Sequence, residues 1–273
     1  AVAADLAAPS DGAAFTLVAD IEGPIADFTP GPDGKWLAWG GVRPKPIRSY
    51  DQNDVLLFEG AWPLTKPRVL TAGKDLAVGE TTSGDMHPPR GGGSLPLAFT
   101  ADGGVVFGYA WQGSTRVARL DPGSGEVDDF TPSDCDVYAG TLCAKGRTLA
   151  LAMGSTASPG DLWVFDVASG EGTCLHAPNA EMLDETGLGE VEEIWYDSFD
   201  GKRIQGWIVK PPGFDPARKY PLVLQIHGGP HAAYGDNFMF EFQLLAAQGI
   251  GVVFTNPRGS TSYGERFTMA SND

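Results

Sequence analysis

Short apolar runs alternate with turn residues through the first two-thirds of the chain. Trp36-Leu37-Ala38-Trp39, Asp54-Val55-Leu56-Leu57-Phe58, Val105-Val106-Phe107, Arg116-Val117-Ala118-Arg119-Leu120, Leu149-Ala150-Leu151 and Asp161-Leu162-Trp163-Val164-Phe165 have the length and residue types of strands. Past about residue 200 the rhythm changes. Residues 204–209 read as a strand that stops at Pro211-Pro212, and Tyr220-Pro221 opens a buried strand over 222–226. A helix capped by Asp236 or Asn237 is expected through Phe238, Phe240, Phe242, Leu244 and Leu245, ending at Gly249. Residues 250–254 form a further buried strand. Strand, loop, helix, strand is the rhythm of a mostly parallel sheet, with its site at the carboxyl ends of the strands.

The strand-rich part repeats. Asp121-Pro122-Gly123-Ser124-Gly125-Glu126 and Asp166-Val167-Ala168-Ser169-Gly170-Glu171 share the pattern D-x-x-S-G-E, 45 residues apart. The upstream turns Asp102-Gly103 and Lys145-Gly146 are 43 residues apart, and Pro32-Asp33-Gly34-Lys35 is an earlier copy. Such a period, with about four short strands per unit, predicts β-propeller blades, each burying its faces against its neighbours. An irregular β-sandwich with coincidental turns is the alternative. Asp33 and Asp102 lie 69 residues apart, so the second unit is read as insertion-rich or degenerate. Residues 79–94, with Pro88-Pro89-Arg90-Gly91-Gly92-Gly93, lack apolar periodicity and are read as an exposed loop.

The acidic balance, 35 Asp and Glu against 19 Lys and Arg, repels phosphate backbones and argues against a nucleic-acid partner. No apolar run approaches the ~20 residues needed to span a bilayer, so no membrane partner is expected. Three cysteines, Cys135, Cys143 and Cys174, make an odd number without a CxxC pair. They are read as free thiols in the propeller core, in a reducing, cytoplasmic compartment. The four histidines are too scattered for a metal site, and no cofactor is expected.

The candidate chemistry lies in His227-Gly228-Gly229-Pro230, at the end of an apolar run. Two glycines let the backbone take conformations closed to other residues and bring N–H groups close to a ligand. An HGGG-type turn of this kind supplies part of the oxyanion hole in α/β-hydrolases. Taken alone, the four residues read equally well as a plain corner.

The flanks favour the functional reading. Glu192-Glu193-Ile194, Ser198-Phe199-Asp200-Gly201, Ile204-Gln205-Gly206-Trp207 and Lys210-Pro211-Pro212-Gly213-Phe214 resemble the entry into the catalytic domain of the prolyl oligopeptidase family of serine peptidases. His227-Gly228-Gly229-Pro230-His231 and Asn256-Pro257-Arg258-Gly259-Ser260-Thr261-Ser262-Tyr263-Gly264 are similar to its acylaminoacyl-peptidase branch. The likeness is specific over about residues 190–267.

The resemblance implies β-propeller blades over residues 1–184, followed by the N-terminal part of an α/β-hydrolase domain over 185–273, with the boundary between 184 and 193. It also implies a Ser-His-Asp peptidase cleaving short or N-acylated peptides. The chain contains no Gly-x-Ser-x-Gly, and the family's nucleophile, acid and base all fall further downstream. With three clear blades where propellers usually have four to eight, the expectation is an interior piece of a longer protein. The remainder of the polypeptide, or a second chain, would then supply the triad; a homo-oligomer stays open. The alternatives are a non-catalytic scaffold and an esterase of the same fold.

Within the resemblance, Gly228 and Gly229 are the oxyanion residues, Gly229 the favoured donor. Pro230 has no N–H and cannot donate. His227 is read as a wall of the substrate pocket rather than a triad base, and Arg258 as a contact to substrate carbonyls or a tie holding its loop. His231 is read as a loop histidine, Tyr263 as packing, and Glu193 and Asp200 as surface or hinge residues.

Overall fold

The computed structural model describes residues 21–42, 48, 50–60, 64, 66–86 and 93–271, and the backbone of two further strands, β1 (Val2–Ala4) and β2 (Phe15–Leu17). These two pair antiparallel. A four-stranded antiparallel meander follows: β3 (Ile25–Pro30), β4 (Trp36–Gly40), β5 (Asp54–Phe58) and β6 (Arg68–Val69). After the short strand β7 (Ala77–Val78) comes a second meander, β8 (Leu97–Phe99), β9 (Val105–Trp111), β10 (Ser114–Leu120) and β11 (Val127–Asp129). A third consists of β12 (Asp136–Leu142), β13 (Thr148–Ser155), β14 (Ser158–Asp166) and β15 (Gly172–His176). β7 adds to β9, and one parallel contact, Thr115 opposite Asp136, joins the second meander to the third.

Side-chain alternation explains why these sheets stack. In β4 and β5, Leu37, Trp39, Val55 and Leu57 enter one large core. Their neighbours Ala38, Leu56 and Phe58 enter another with Leu64. Period-two alternation thus sends each face of the sheet into a different apolar layer. The two D-x-x-S-G-E segments are equivalent turns, joining β10 to β11 and β14 to β15. Asp121 Oδ1 accepts from the amides of Gly123 and Ser124 at 2.8 and 2.7 Å, and Asp166 Oδ1 from those of Ala168 and Ser169 at 3.0 and 2.9 Å. Gly125 and Gly170 take φ of 75° and 74°, the left-handed conformation each turn needs.

The helix α1 (Ala180–Glu185) leads to a separate mixed sheet. Its strands are β16 (Val191–Asp197), β17 (Arg203–Val209), β18 (Leu222–Gln225) and β19 (Gly251–Asn256), in the order β16-β17-β19-β18. β18 and β19 run parallel, linked by α2 (Phe240–Ala247), and α3 (Glu265–Met269) follows. Trp207, Val209, Phe242, Ala246, Val252 and Phe254 pack between sheet and helix, with the Trp207 and Phe254 rings stacked at 5.2 Å.

Several expectations need correction. The helix starts at Phe240, and neither Asp236 nor Asn237 caps it: Asp236 accepts from Trp207 Nε1, and Asn237 donates to Thr82 and Ser83. The cap comes from a distant residue, Asp85, whose two carboxylate oxygens accept from the Phe240 and Glu241 amides at 2.8 Å each. Gly249 does end the helix: its N–H reaches Ala246 O, and Ile250 N–H reaches Leu245 O, a Schellman arrangement.

The strand expected to be buried over 222–226 is bare on one face, with Leu222, Leu224 and Ile226 exposed. β18 is the last strand of the described sheet, and only Val223 and Gln225 point to the side that holds Val252, Phe254 and α2. Residues 79–94 are not simply an exposed loop. Thr82 is buried, and Ser83 pairs with Tyr234 across the seam between the meanders and the mixed sheet. Pro88, Pro89, Arg90, Gly91 and Gly92 lie outside the described residues.

Only Cys135 is a core cysteine; Cys143 and Cys174 are exposed, the first beside the turn after β12 and the second on β15, exposed along its whole length.

Candidate active site

The turn after β18 is built by glycine geometry and locked by the loop after β19. Gly229 has φ +134°, and a Cβ there would meet His231 N at 2.7 Å, so only glycine fits without strain. Gly228 and Gly229 are both exposed, and among the described residues neither amide donates to a protein acceptor. A free N–H at the carboxyl end of a parallel strand is a donor available to a bound oxygen.

Both ring nitrogens of His227 have partners. Its Nδ1 lies 2.8 Å from the Gly228 carbonyl oxygen, an acceptor only, so Nδ1 carries the hydrogen in the neutral ring. Nε2 is then the acceptor facing Ser260 Oγ at 2.9 Å. The Ser260 hydroxyl has a second acceptor, Pro257 O, at 2.7 Å. Ser260 is fully buried, so a substrate carbonyl cannot approach its hydroxyl. No carboxylate orients the far side of the imidazole, where the ring meets backbone instead. The pair therefore fastens two loops and lacks the geometry of an activated nucleophile.

Three more bonds complete the fastening. Thr261 N donates to Ala232 O at 3.0 Å. Asn256, fully buried, accepts from Tyr234 N and donates to Tyr234 O, each at 2.8 Å. The Tyr234 ring packs edge-on against His227 at 5.3 Å.

No family model matches the chain. A 96-residue stretch is 44% identical to the Bacillus subtilis protein named uncharacterized peptidase YuxL, covering 35% of this chain and 15% of that one. Over 186 residues the chain is 33% identical to the probable dipeptidyl-peptidase 5 of Emericella nidulans, covering 64% of this chain and 25% of that one. Acylaminoacyl peptidase of Pyrococcus horikoshii superposes with a TM-score of 0.68 over 86% of this chain and 33% of its own, at 22% identity, a likeness of fold. Over these stretches the chain is similar to peptidases of the prolyl oligopeptidase family. It spans a quarter or less of the length of these two curated relatives.

The structure brings His227, Gly228 and Gly229 together at one turn and holds Arg258 elsewhere. Arg258 Nη1 donates to Asp200 Oδ2 at 2.7 Å, and the guanidinium sits 4.5 Å from the centroid of the Phe199 ring. Partial burial would raise the Asp200 carboxyl, but hydrogen bonds from Arg258 and Lys202 draw it well below the usual carboxylate range. The arginine thus ties the loop after β19 to the β16–β17 turn.

His231 sits at the exit of the glycine turn, its ring 6.1 Å from Tyr50 in an edge contact. Tyr263 donates to Gln205 Oε1 and accepts from Asn256, so it is a network member rather than only packing. Glu193 accepts from Gln205 and Trp195. Among the described residues no three His, Cys, Asp or Glu side chains are grouped to hold a metal ion. No helix there is long and apolar enough to cross a membrane.

The sequence alone did not single out Ser260 or Asn256 as partners of the turn. Asn256 had one available sign, a polar residue closing the apolar strand Gly251–Asn256. The reach of its side chain to Tyr234 follows only from the parallel pairing of β18 and β19.

Proposed function

We propose that the protein is a serine-type peptidase acting on short peptides, including N-acylated ones, with the His227–Gly228–Gly229–Pro230 turn supplying one oxyanion donor. In this reading residues 1–184, which include the three meanders, are propeller blades. The mixed sheet and its helices, residues 185–273, are the N-terminal part of an α/β-hydrolase domain. The observation that carries the reading is the unpaired, exposed Gly229 amide, held at φ +134° at the carboxyl end of a parallel strand.

The chemistry asked of the turn is specific. A serine oxygen adds to the scissile carbonyl while a histidine takes the hydroxyl proton. Negative charge moves onto the carbonyl oxygen, and fixed N–H donors stabilise it without reorganising. When the intermediate collapses, the C–N bond breaks, the amine leaves with the proton, and water later hydrolyses the acyl-enzyme. Gly229 N–H is assigned to the oxyanion, and the second donor to the amide after the nucleophile, which lies outside this chain. His227 and the bases of the two loops form the pocket wall. The free thiols support the cytoplasmic location.

A second reading has its own support. A relative aligned over 186 residues is named a dipeptidyl-peptidase, an activity requiring a free amino terminus. Paired nitroanilide substrates, one N-acetylated and one with a free terminal dipeptide, separate the two in the full-length protein. Hydrolysis of either, with stoichiometric fluorophosphonate labelling of a serine outside residues 1–273, supports the serine-peptidase reading. Absence of both labelling and hydrolysis would leave the scaffold alternative.

A further inference from the structure

We propose that Asn256 is a positioning residue for the oxyanion turn, acting through the backbone of Tyr234; this rests on the functional reading above. The Asn256 carboxamide stands in for a peptide group. Its Oδ1 accepts the Tyr234 N–H and its Nδ2 donates to the Tyr234 carbonyl, both at 2.8 Å. The second Nδ2 hydrogen goes to Tyr263 OH at 2.6 Å. Both hydrogens and the oxygen of the amide are therefore taken. Its orientation is fixed by Tyr234, whose N–H can only donate and whose C=O can only accept.

The clamp is itself anchored. Tyr263 donates onward to Gln205 Oε1, and Gln205 Nε2 donates to Glu193 Oε1 at 2.7 Å. Every bond in this chain points the same way, from Asn256 towards a carboxylate, so each polarises the next. It crosses β19, β17 and β16, the rigid strands beneath the site. The loop of residues 227–234 is held by the Tyr234 ring, packed on Phe242 and Phe254, and by a handful of hydrogen bonds. Its start is fixed by His227 on Ser260, its middle by Ala232 O, and its end by Asn256. From the other side Ala233 O accepts the Ser83 amide at 2.7 Å. Asn256 gives this loop its only double bond to the sheet among the described residues. Releasing it frees the exit of the turn that aims Gly229.

The chemistry of the variants separates positioning from bulk. Asn256→Ala leaves the buried Tyr234 N–H and C=O both unpaired. Asn256→Asp keeps the shape: an ionised carboxylate accepts from Tyr234 N–H but repels Tyr234 O, whereas the protonated acid donates to that oxygen as the amide does. The aspartate variant should therefore recover at acid pH what it loses at neutral pH.

Hydrogen exchange and steady-state kinetics on the full-length protein test this together. Thr261 and Ser83 are the informative amides, because both donate to the loop and neither touches Asn256. In Asn256→Ala they should exchange roughly tenfold faster, while β9 and β13 keep their protection. kcat should fall roughly 10- to 100-fold with KM within about twofold, as expected when a donor is misplaced by a fraction of an ångström. Asn256→Asp should regain kcat relative to wild type as pH falls. It also serves if the alanine variant does not fold. Unchanged exchange at Thr261 and Ser83 would overturn the positioning role. Faster exchange with unchanged kcat would instead overturn the oxyanion reading of the turn, and with it the catalytic meaning of the clamp.

Discussion

His227 and Ser260 draw the loops after β18 and β19 together through a 2.9 Å contact between Nε2 and Oγ. In a serine peptidase such a pair invites a catalytic reading, yet the buried hydroxyl and the backbone partner of Nδ1 give it a fastening role. Ser260→Ala should cost about 1 kcal/mol of stability, the usual worth of such a hydrogen bond. Fluorophosphonate labelling of the full-length protein should persist in this variant. Loss of labelling would make Ser260 the nucleophile.

Asp236 sits mostly buried at the seam, its carboxylate accepting from Trp207 Nε1 at 3.0 Å and its amide donating to Gly113 O at 2.8 Å. Burial pushes its carboxyl up to about 7 from an ordinary 3.8, and the charges of Glu193, Asp134 and Asp136 add to the rise. The folded state therefore holds a proton that the unfolded chain releases. Stability from this group is full below about pH 4, declines as pH rises towards 7, and stays low above it. Asp236→Asn keeps an acceptor for Trp207 without the charge. Its melting temperature should exceed that of wild type by a margin that grows from pH 5 to pH 8; parallel curves would refute the assignment.

Asp85 caps α2 from 155 positions away, through two amide bonds of 2.8 Å. Asp85→Ala should destabilise the protein by about 1 kcal/mol, within the range for lost caps. Asp85→Asn should restore part of that in chemical denaturation. An alanine variant as stable as wild type would mean solvent replaces the cap at no cost.

Cys143 and Cys135 should alkylate at different rates. Backbone N–H groups of Arg147 and Thr148 draw the Cys143 thiol down to about 7, and it is exposed. Burial pushes Cys135 up to about 12. Iodoacetamide at pH 7.5 should modify Cys143 ahead of Cys135 by a large factor, read by peptide mass mapping. Equal rates would show that the fold does not protect Cys135.

The repeating turns were legible because their chemistry is local. Asp121 and Asp166 each satisfy amides two and three residues on, so the pattern D-x-x-S-G-E carries its own geometry. The strand, helix, strand order around Gly249 was legible for the same reason. What could not be read was anything decided across the seam. Asp236 and Asn237 look like caps in sequence, but Trp207 and Thr82 occupy them and Asp85 takes over. The run at 222–226 looks buried by hydropathy alone, yet its edge position in the described sheet leaves Leu222 and Leu224 in solvent. At the site, the two glycines and the motif at 256–264 were visible, but the bonds from Ser260 and Asn256 that lock one to the other were not.

The central claim is that the Gly229 amide receives the developing oxyanion. Substitution tests it, since φ is +134° and any side chain must displace the turn. Steady-state kinetics of Gly229→Val in the full-length enzyme, with folding checked by melting, is the most direct measurement. The account predicts a fall in kcat of roughly 10²–10³ with a much smaller change in KM, the usual result of losing one such donor. A well-folded Gly229→Val enzyme with unchanged kcat would contradict it.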